Sequence, residues 1–384
     1  MKKKTLAIDT PFQKSDAYGA LSMPVYHTLA YEFADADVMS DAFCGRIEEP
    51  DYSRVMNPTV NYLELKIKAL TGADRVTAMS SGMAAISGAL ISLVEQGKNV
   101  VSSRHMFGNT YSLLTKTLPR FGVTTHLCDL TNLDEVRSAV DADTCCIFLE
   151  IITNPQLEVA DLAALAEIAH EHNIPLVADT TAIPFTEFNA HELGVSTTKY
   201  LSGGATSLGG IVIDYGGFPE FARRLHDEML FNLGAYMTPH VAYMQNLGLE
   251  NLNARYAMQV RNTEYLVNAL RGLEQIKSVN YVGLPDNPYY ALAQRQFGKT
   301  AGCMFTIDLE SKEACFRFIN KLKLVRRATN LFDNRTLAIH PASTIFGPFT
   351  DEQRAAMDVL DTTIRISVGL EDMDDIIEDF RQAL

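Results

Sequence analysis

Short apolar runs alternate with longer amphipathic stretches along most of the chain. Runs at Val76–Met79, Asn99–Ser102, Thr124–Cys128, Cys145–Ile151, Ile174–Thr180 and Gly210–Asp214 have strand length and read as buried strands. Between them, 84–94 and 161–172 space their apolar residues as helices do, with Asp161 placed as an N-cap. This alternation predicts an α/β architecture with a mostly parallel central sheet. In such sheets ligands bind beyond the carboxyl ends of the strands. A helical stretch over 251–273 is expected to lead into a smaller α+β unit. That unit takes strands at Cys303–Leu309 and Thr363–Val368 and helices at Lys312–Leu322 and Asp372–Leu384. Residues 1–58 follow neither period and read as an arm. The expected organisation is an arm over 1–58, a large α/β domain over 59–248 and an α+β domain over 249–384.

Composition narrows the function. At 384 residues, with 47% hydrophobic and 21% charged residues, the chain suits two or three ordinary globular domains. A net charge of −14 without Lys/Arg runs beyond Lys2, Lys3 and Lys4 argues against a nucleic-acid partner. No apolar run approaches the ~20 residues of a membrane span, and the first residues lack the core of a secretory leader. A cytoplasmic enzyme without a membrane partner is expected. The six cysteines lack C-x-x-C spacing, so they read as reduced, buried thiols and no metal site is expected.

Three segments carry candidate chemistry. Lys199 stands in Ser196-Thr197-Thr198-Lys199-Tyr200, just before Gly203 and Gly204. A buried lysine among hydroxyls can lose its proton and form a Schiff base, and Ser196 and Thr198 can donate to a phosphate. Taken alone, the segment could equally be a turn with an exposed lysine. Asp179 ends an apolar strand and so faces the expected crevice, where a carboxylate can pair with a pyridinium nitrogen. Alone, it could cap the following turn. Ser81-Gly82-Met83 opens a helix directly after a strand, a place that suits an anion. Alone, it could be an ordinary capped helix. The three occur together and in order, which points to pyridoxal 5′-phosphate (PLP).

With these residues in view, the chain resembles the Cys/Met-metabolism family of PLP enzymes, of the aspartate-aminotransferase-like fold, over nearly its whole length. Tyr52-Ser53-Arg54 through Asn57-Pro58-Thr59 is similar to the family's YSR-x-x-NPT. The resemblance implies that Tyr52 and Arg54 reach into a neighbouring subunit to bind its cofactor phosphate, with Tyr52 also facing substrate. It implies that Ser81, Gly82 and Met83 cradle the phosphate and that Asn154, in the Glu150-to-Pro155 element, bonds the cofactor. Asp179-Thr180-Thr181 resembles the family's DNT, and Ser196–Tyr200 its S-x-TKY. Arg365, in Ile364-Arg365-Ile366-Ser367-Val368-Gly369-Leu370-Glu371-Asp372, is implied to bind the substrate carboxylate. A homo-oligomer follows, a dimer at minimum and usually a tetramer.

Within the family, Gly203-Gly204-Ala205-Thr206-Ser207-Leu208-Gly209-Gly210, the segment around Asn330, and Ile339-His340-Pro341-Ala342-Ser343-Thr344 are similar to acyl-homoserine sulfhydrylases. The implied reaction is γ-replacement on O-acetyl- or O-succinyl-L-homoserine by sulfide or a thiol, with Lys199 as base and Asn330 near the substrate. The sulfur donor stays open between a free thiol and a donor protein. The alternatives are a methionine or cystathionine γ-lyase, a cystathionine γ-synthase and, from another class, a non-catalytic sulfur-carrier-binding protein. The pattern departs at Phe107, where the family has the tyrosine that stacks on the cofactor. Phe107 keeps the stack and loses the phenol, and Tyr111 is the candidate replacement. Thr180 stands for an Asn, Ala205 for a His and Phe332 for a Gly.

Overall fold

The computed structural model of the protein describes residues 2–10, 18–188, the backbone of 193–196, and 201–384. Its central sheet is built from β1 (Arg75–Met79), β2 (Asn99–Ser103), β3 (Thr124–Cys128), β4 (Thr144–Glu150), β5 (Leu176–Asp179), β6 (Leu193–Ser196) and β7 (Gly210–Asp214). The order across this seven-stranded sheet is β1-β7-β6-β5-β4-β2-β3. Neighbours from β6 to β3 run parallel, and β7 runs antiparallel to both β1 and β6. β1, β2, β4, β5 and β7 are almost wholly buried, which is why β4, β5 and β7 read as apolar runs, whereas the edge strand β3 is mostly exposed or half-buried. Expected and observed bounds coincide at β3 and β7, and elsewhere differ by a residue or two at strand ends.

A second sheet takes β8 (Ser278–Asn280), β9 (Met304–Asp308), β10 (Leu337–Ile339) and β11 (Thr363–Ser367) in the order β10-β11-β9-β8. All its pairings are antiparallel. The expected helix over 251–273 is observed as Leu252–Leu270, and Asn251 separates it from a preceding helix, Pro239–Glu250. From Leu252–Leu270, Gln259 Nε2 donates to the carbonyls of Asp333 and Val368, at 2.8 and 3.3 Å, and so ties the helix to the C-terminal unit.

The N-terminal segment is less irregular than its pattern suggests. It contains the helices Lys3–Ile8 and Ala36–Phe43, the latter capped by the Asp35 carboxylate, which accepts from Val38 N–H at 2.8 Å. A third helix, Pro58–Thr71, starts at the NPT segment. Asn57 is its N-cap, Pro58 sits in the first turn, and Gly72 ends it in the left-handed conformation at φ +73°.

The C-terminal helix Met373–Ala383 anchors the loop that follows the helix Lys312–Lys321 through one buried carboxylate. Asp379 accepts the backbone N–H groups of Lys323, Leu324 and Val325, at 2.8–3.2 Å. Asp379→Ala would leave these donors unpaired. It is expected to cost roughly 3 kcal/mol, read as a lower urea midpoint at unchanged slope.

Candidate active site

The site lies where the parallel strands end. Glu150 closes β4 and Asp179 closes β5, opposite each other in the parallel register. Beside them the helix Gly82–Leu93 begins, with Ser81 as N-cap: its side chain accepts from Ala84 N–H at 3.0 Å. The first N–H groups of a helix have no partner within it and carry the positive end of its dipole. Ser81, Gly82 and Met83 thus present an anion cradle to a cavity of about 540 Å³. Gly210, the first residue of β7, lies against the cradle. A Cβ there would sit 2.0 Å from the Ser81 carbonyl oxygen, so this strand start must be glycine for the turn to close.

Glu150 is buried, and its carboxyl fixes two backbone segments. Oε1 accepts from Phe107 N–H at 2.7 Å and Oε2 from Asn154 N–H at 3.1 Å. Burial, with the nearby charge of Asp179 acting in the same direction, pushes the Glu150 pKa up to about 8 against the pull of those donors. Asp179 accepts from both the N–H and the hydroxyl of Thr181, at 2.9 and 2.6 Å.

Across the cavity, Arg365 rises from the middle of β11 and is only 2% exposed. It donates from Nη1 to Asn154 Oδ1 at 3.1 Å, and from Nη2 to the carbonyls of Thr329 and Asn330 at 3.2 and 3.3 Å. All three partners are neutral, and its Nε has none among the described residues. Burial alone lowers its pKa to about 9. A buried guanidinium without a counter-ion is costly, and its planar fork suits a carboxylate.

The sequence-derived residues fall into three groups. Ser81, Gly82, Met83, Phe107, Glu150, Asn154, Asp179 and Arg365 line the one cavity. Lys199 and Thr198 lie outside the described residues, as does the side chain of Ser196, whose backbone pairs with Asp179. The segment after the lysine is described: Leu201 packs so closely on Gly248 that a Cβ there would meet the Leu201 carbonyl oxygen, and Gly203 O accepts from Asn334 Nδ2 at 3.1 Å.

The third group sits elsewhere. Tyr52, at 39% exposure, and Arg54 are not among the cavity-lining residues; Arg54 donates to the carbonyls of Leu230 and Phe231 of its own chain. Asn330 meets Arg365 through its backbone, while Thr329, Leu331 and Phe332 line the cavity. Tyr111, expected to replace the missing phenol, is absent from the lining. Its ring packs edge-on against Phe349 at 5.7 Å, because the turn that brings Phe107 to the cavity carries Tyr111 into a small apolar cluster.

Sequence reasoning missed the contribution of Met304, Thr344 and Ile345 to the wall, and it missed His105. That ring is bonded to Glu158 through Nδ1 and to Asp358 through Nε2, both at 2.8 Å. The two carboxylates stand 53 and 253 residues away, so no local motif could reveal the pairing.

An anion cradle, a strand-end carboxylate and a buried arginine around one cavity define an α/β enzyme that holds a phosphorylated cofactor and a small carboxylate. The chain belongs to the Cys/Met metabolism PLP-dependent enzymes, whose family model matches residues 4–384. It is similar to a putative O-acetylhomoserine (thiol)-lyase from Campylobacter jejuni subsp. jejuni: TM-score 0.95, 31% identity, 100% of this chain and 99% of that one. That structure carries pyridoxyl-lysine monophosphate. It is similar to the O-acetylhomoserine sulfhydrylase of Wolinella succinogenes, with 40% identity and a TM-score of 0.75 over 86% of this chain and 99% of that one. An L-methionine gamma-lyase of Fusobacterium nucleatum subsp. nucleatum is 36% identical over 96% of this chain and 94% of its own length.

The cofactor is PLP, and the residues present fit it. The Ser81–Met83 cradle, kept open by Gly210, suits the phosphate. The Asp179 carboxylate suits a pyridinium nitrogen. Among the described residues no cluster of His, Cys, Asp and Glu could hold a metal ion, and no helix is long and apolar enough to cross a membrane.

Two outcomes are expected. Gly210→Ala should displace the cradle and weaken PLP binding by about tenfold or more, read from cofactor dissociation on dilution. For His105, burial acts against the charge, but Glu158 and Asp358 outweigh it and raise the pKa. The stability this contributes is fully present below the unfolded value of about 6.5 and is lost as pH rises through the folded value. The melting-temperature gap between wild type and His105→Gln should therefore be wide at pH 6 and narrow by pH 9.

Proposed function

We propose that this protein catalyses γ-replacement on an O-acyl-L-homoserine, with an acetyl or succinyl group leaving, by sulfide or a thiol, giving homocysteine or a methionine-type product. The observation that carries the reading is Arg365: buried at the cavity, bonded among the described residues to neutral partners alone, and shaped for an α-carboxylate. The 40% identity with an O-acetylhomoserine sulfhydrylase supports this branch of the family.

When bound, PLP supplies an electron sink for charge that develops at the substrate α-carbon. Arg365 binds the carboxylate and, through Asn154, is kept in register with the cofactor side of the cavity. Asp179, oriented by Thr181, would pair with the pyridine nitrogen and favour its protonated form. Glu150 holds the backbone of Phe107, whose ring would stack on the cofactor. Lys199 holds the cofactor and moves protons at Cα and Cβ. The Cγ–O bond then breaks with its electron pair leaving on the carboxylate, and the sulfur nucleophile forms the Cγ–S bond, so the exchange is redox-neutral. In this reading Tyr52 and Arg54 of a second copy complete the phosphate site, within a dimer or tetramer.

A second reading, methionine γ-lyase, is favoured by the 36% identity with the Fusobacterium enzyme. A panel of O-acetylhomoserine, O-succinylhomoserine, O-acetylserine and O-phosphohomoserine at saturating sulfide separates the two. Turnover is expected with the first two. Faster 2-oxo acid release from methionine than thiol formation from any of the four would establish the lyase instead. Arg365→Lys should raise KM by roughly 100-fold with PLP still bound, since it gives up a charged two-point contact of about 2–3 kcal/mol.

A further inference from the structure

The geometry points to Phe332 as a specificity-determining residue: its ring walls the cavity beside Arg365 and limits the size of the group that the carboxylate-bearing substrate can carry. This rests on the reading of Arg365 as the carboxylate site.

Phe332 has φ +54°, a left-handed conformation uncommon for a bulky aromatic residue, which glycine would adopt without steric conflict. It is nonetheless 1% exposed and lines the cavity. The surrounding bonds over-determine this conformation. Phe332 N–H donates to Ser367 Oγ at 2.7 Å, and Ser367 lies two positions along β11 from Arg365, on the same face of the strand. Just before Phe332, the carbonyls of Thr329 and Asn330 are held by Arg365 Nη2. Just after it, Asp333 O is held by Gln259 and Asn334 Nδ2 is tied to Gly203 O. The loop can neither slide nor relax, so the ring stays where β11 puts it.

Strain retained against such a simple relief marks a site where the side chain has a use. Met304, Leu331 and Ile345 line the same cavity, and with Phe332 they make an apolar wall. A group at Cβ to Cδ of an amino acid lies only a few bonds from a carboxylate held by Arg365, so this wall meets its side chain. Taking the ring away would deepen the cavity at that point without touching the phosphate cradle or Asp179.

The test uses the PLP-loaded enzyme and linear 2-amino acids: norvaline, norleucine and 2-aminoheptanoate. Dissociation constants are read from the absorbance change of the bound cofactor. In wild type, affinity should fall steeply as the chain lengthens. In Phe332→Gly the fall should begin at a longer chain, with binding of 2-aminoheptanoate tightened by about tenfold relative to norvaline. Phe332→Leu should give a smaller shift in the same direction, and it carries the test if the glycine variant does not fold. The same length profile in wild type and variant overturns the proposal. Turnover of O-acetylhomoserine with sulfide is measured alongside: a wild type that lacks it overturns the proposed reaction, while the length profiles still judge Phe332.

Discussion

The active site hangs from one buried carboxyl. Glu150 ends β4 with both oxygens turned back to the chain, one on Phe107 N–H and the other on Asn154 N–H. Asn154 then reaches Arg365, and Arg365 holds the carbonyls of Thr329 and Asn330. One continuous set of bonds thus runs from the seven-stranded sheet to β11, an inner strand of the four-stranded sheet. It passes between the residues that suit the cofactor and the residue that suits a substrate. Burying Glu150 costs solvation energy and placing it opposite Asp179 adds to that cost, which is why its pKa rises to about 8. The N–H groups of Phe107 and Asn154 offset part of that cost.

Close backbone contacts do the rest of the positioning. Gly210 lets β7 touch the turn at Ser81, and Gly248 lets a helix touch Leu201, just after the candidate lysine. Asn334 bonds Gly203 from the C-terminal side. On the opposite side, Tyr111 on Phe349 and His105 between Glu158 and Asp358 bind the Phe107 segment to residues 341–359. The cavity is therefore closed by pieces of both sheets, and its shape depends on how they meet. The αL conformation of Phe332 belongs to this junction, since the bonds that impose it come from β11, from the helix Leu252–Leu270 and from the glycine loop.

Much of this was legible in the chain itself. Buried strands leave apolar runs, so β7 could be bounded to the residue; β3, a partly exposed edge strand without such a run, was bounded as well. Asp161 and Ser81 act as the N-caps their positions suggest. The arm was less legible, because Lys3–Ile8 and Ala36–Phe43 are too short to show a period and depend on caps and packing. The strand β6 was missed because Leu193-Gly194-Val195-Ser196 is short and carries no apolar run. The helix Pro58–Thr71 was not singled out beyond its motif, although Asn57-Pro58 is a plain start signal.

The sequence by itself determined the fold class, the family and the residue types at the site. These depend on local patterns: apolar periodicity, a glycine-opened helix, a carboxylate at a strand end. Only the tertiary structure decided which of those residues meet. It brought Asn154 and Arg365 together across 211 residues of sequence, with Glu150 bonded to Asn154, turned Tyr111 away from the cavity and put Phe332 among the lining residues. The reason is physical. A local pattern says how a segment packs, but the partners of a buried polar group are chosen by the junction of separate elements, and nothing nearby in sequence records that junction.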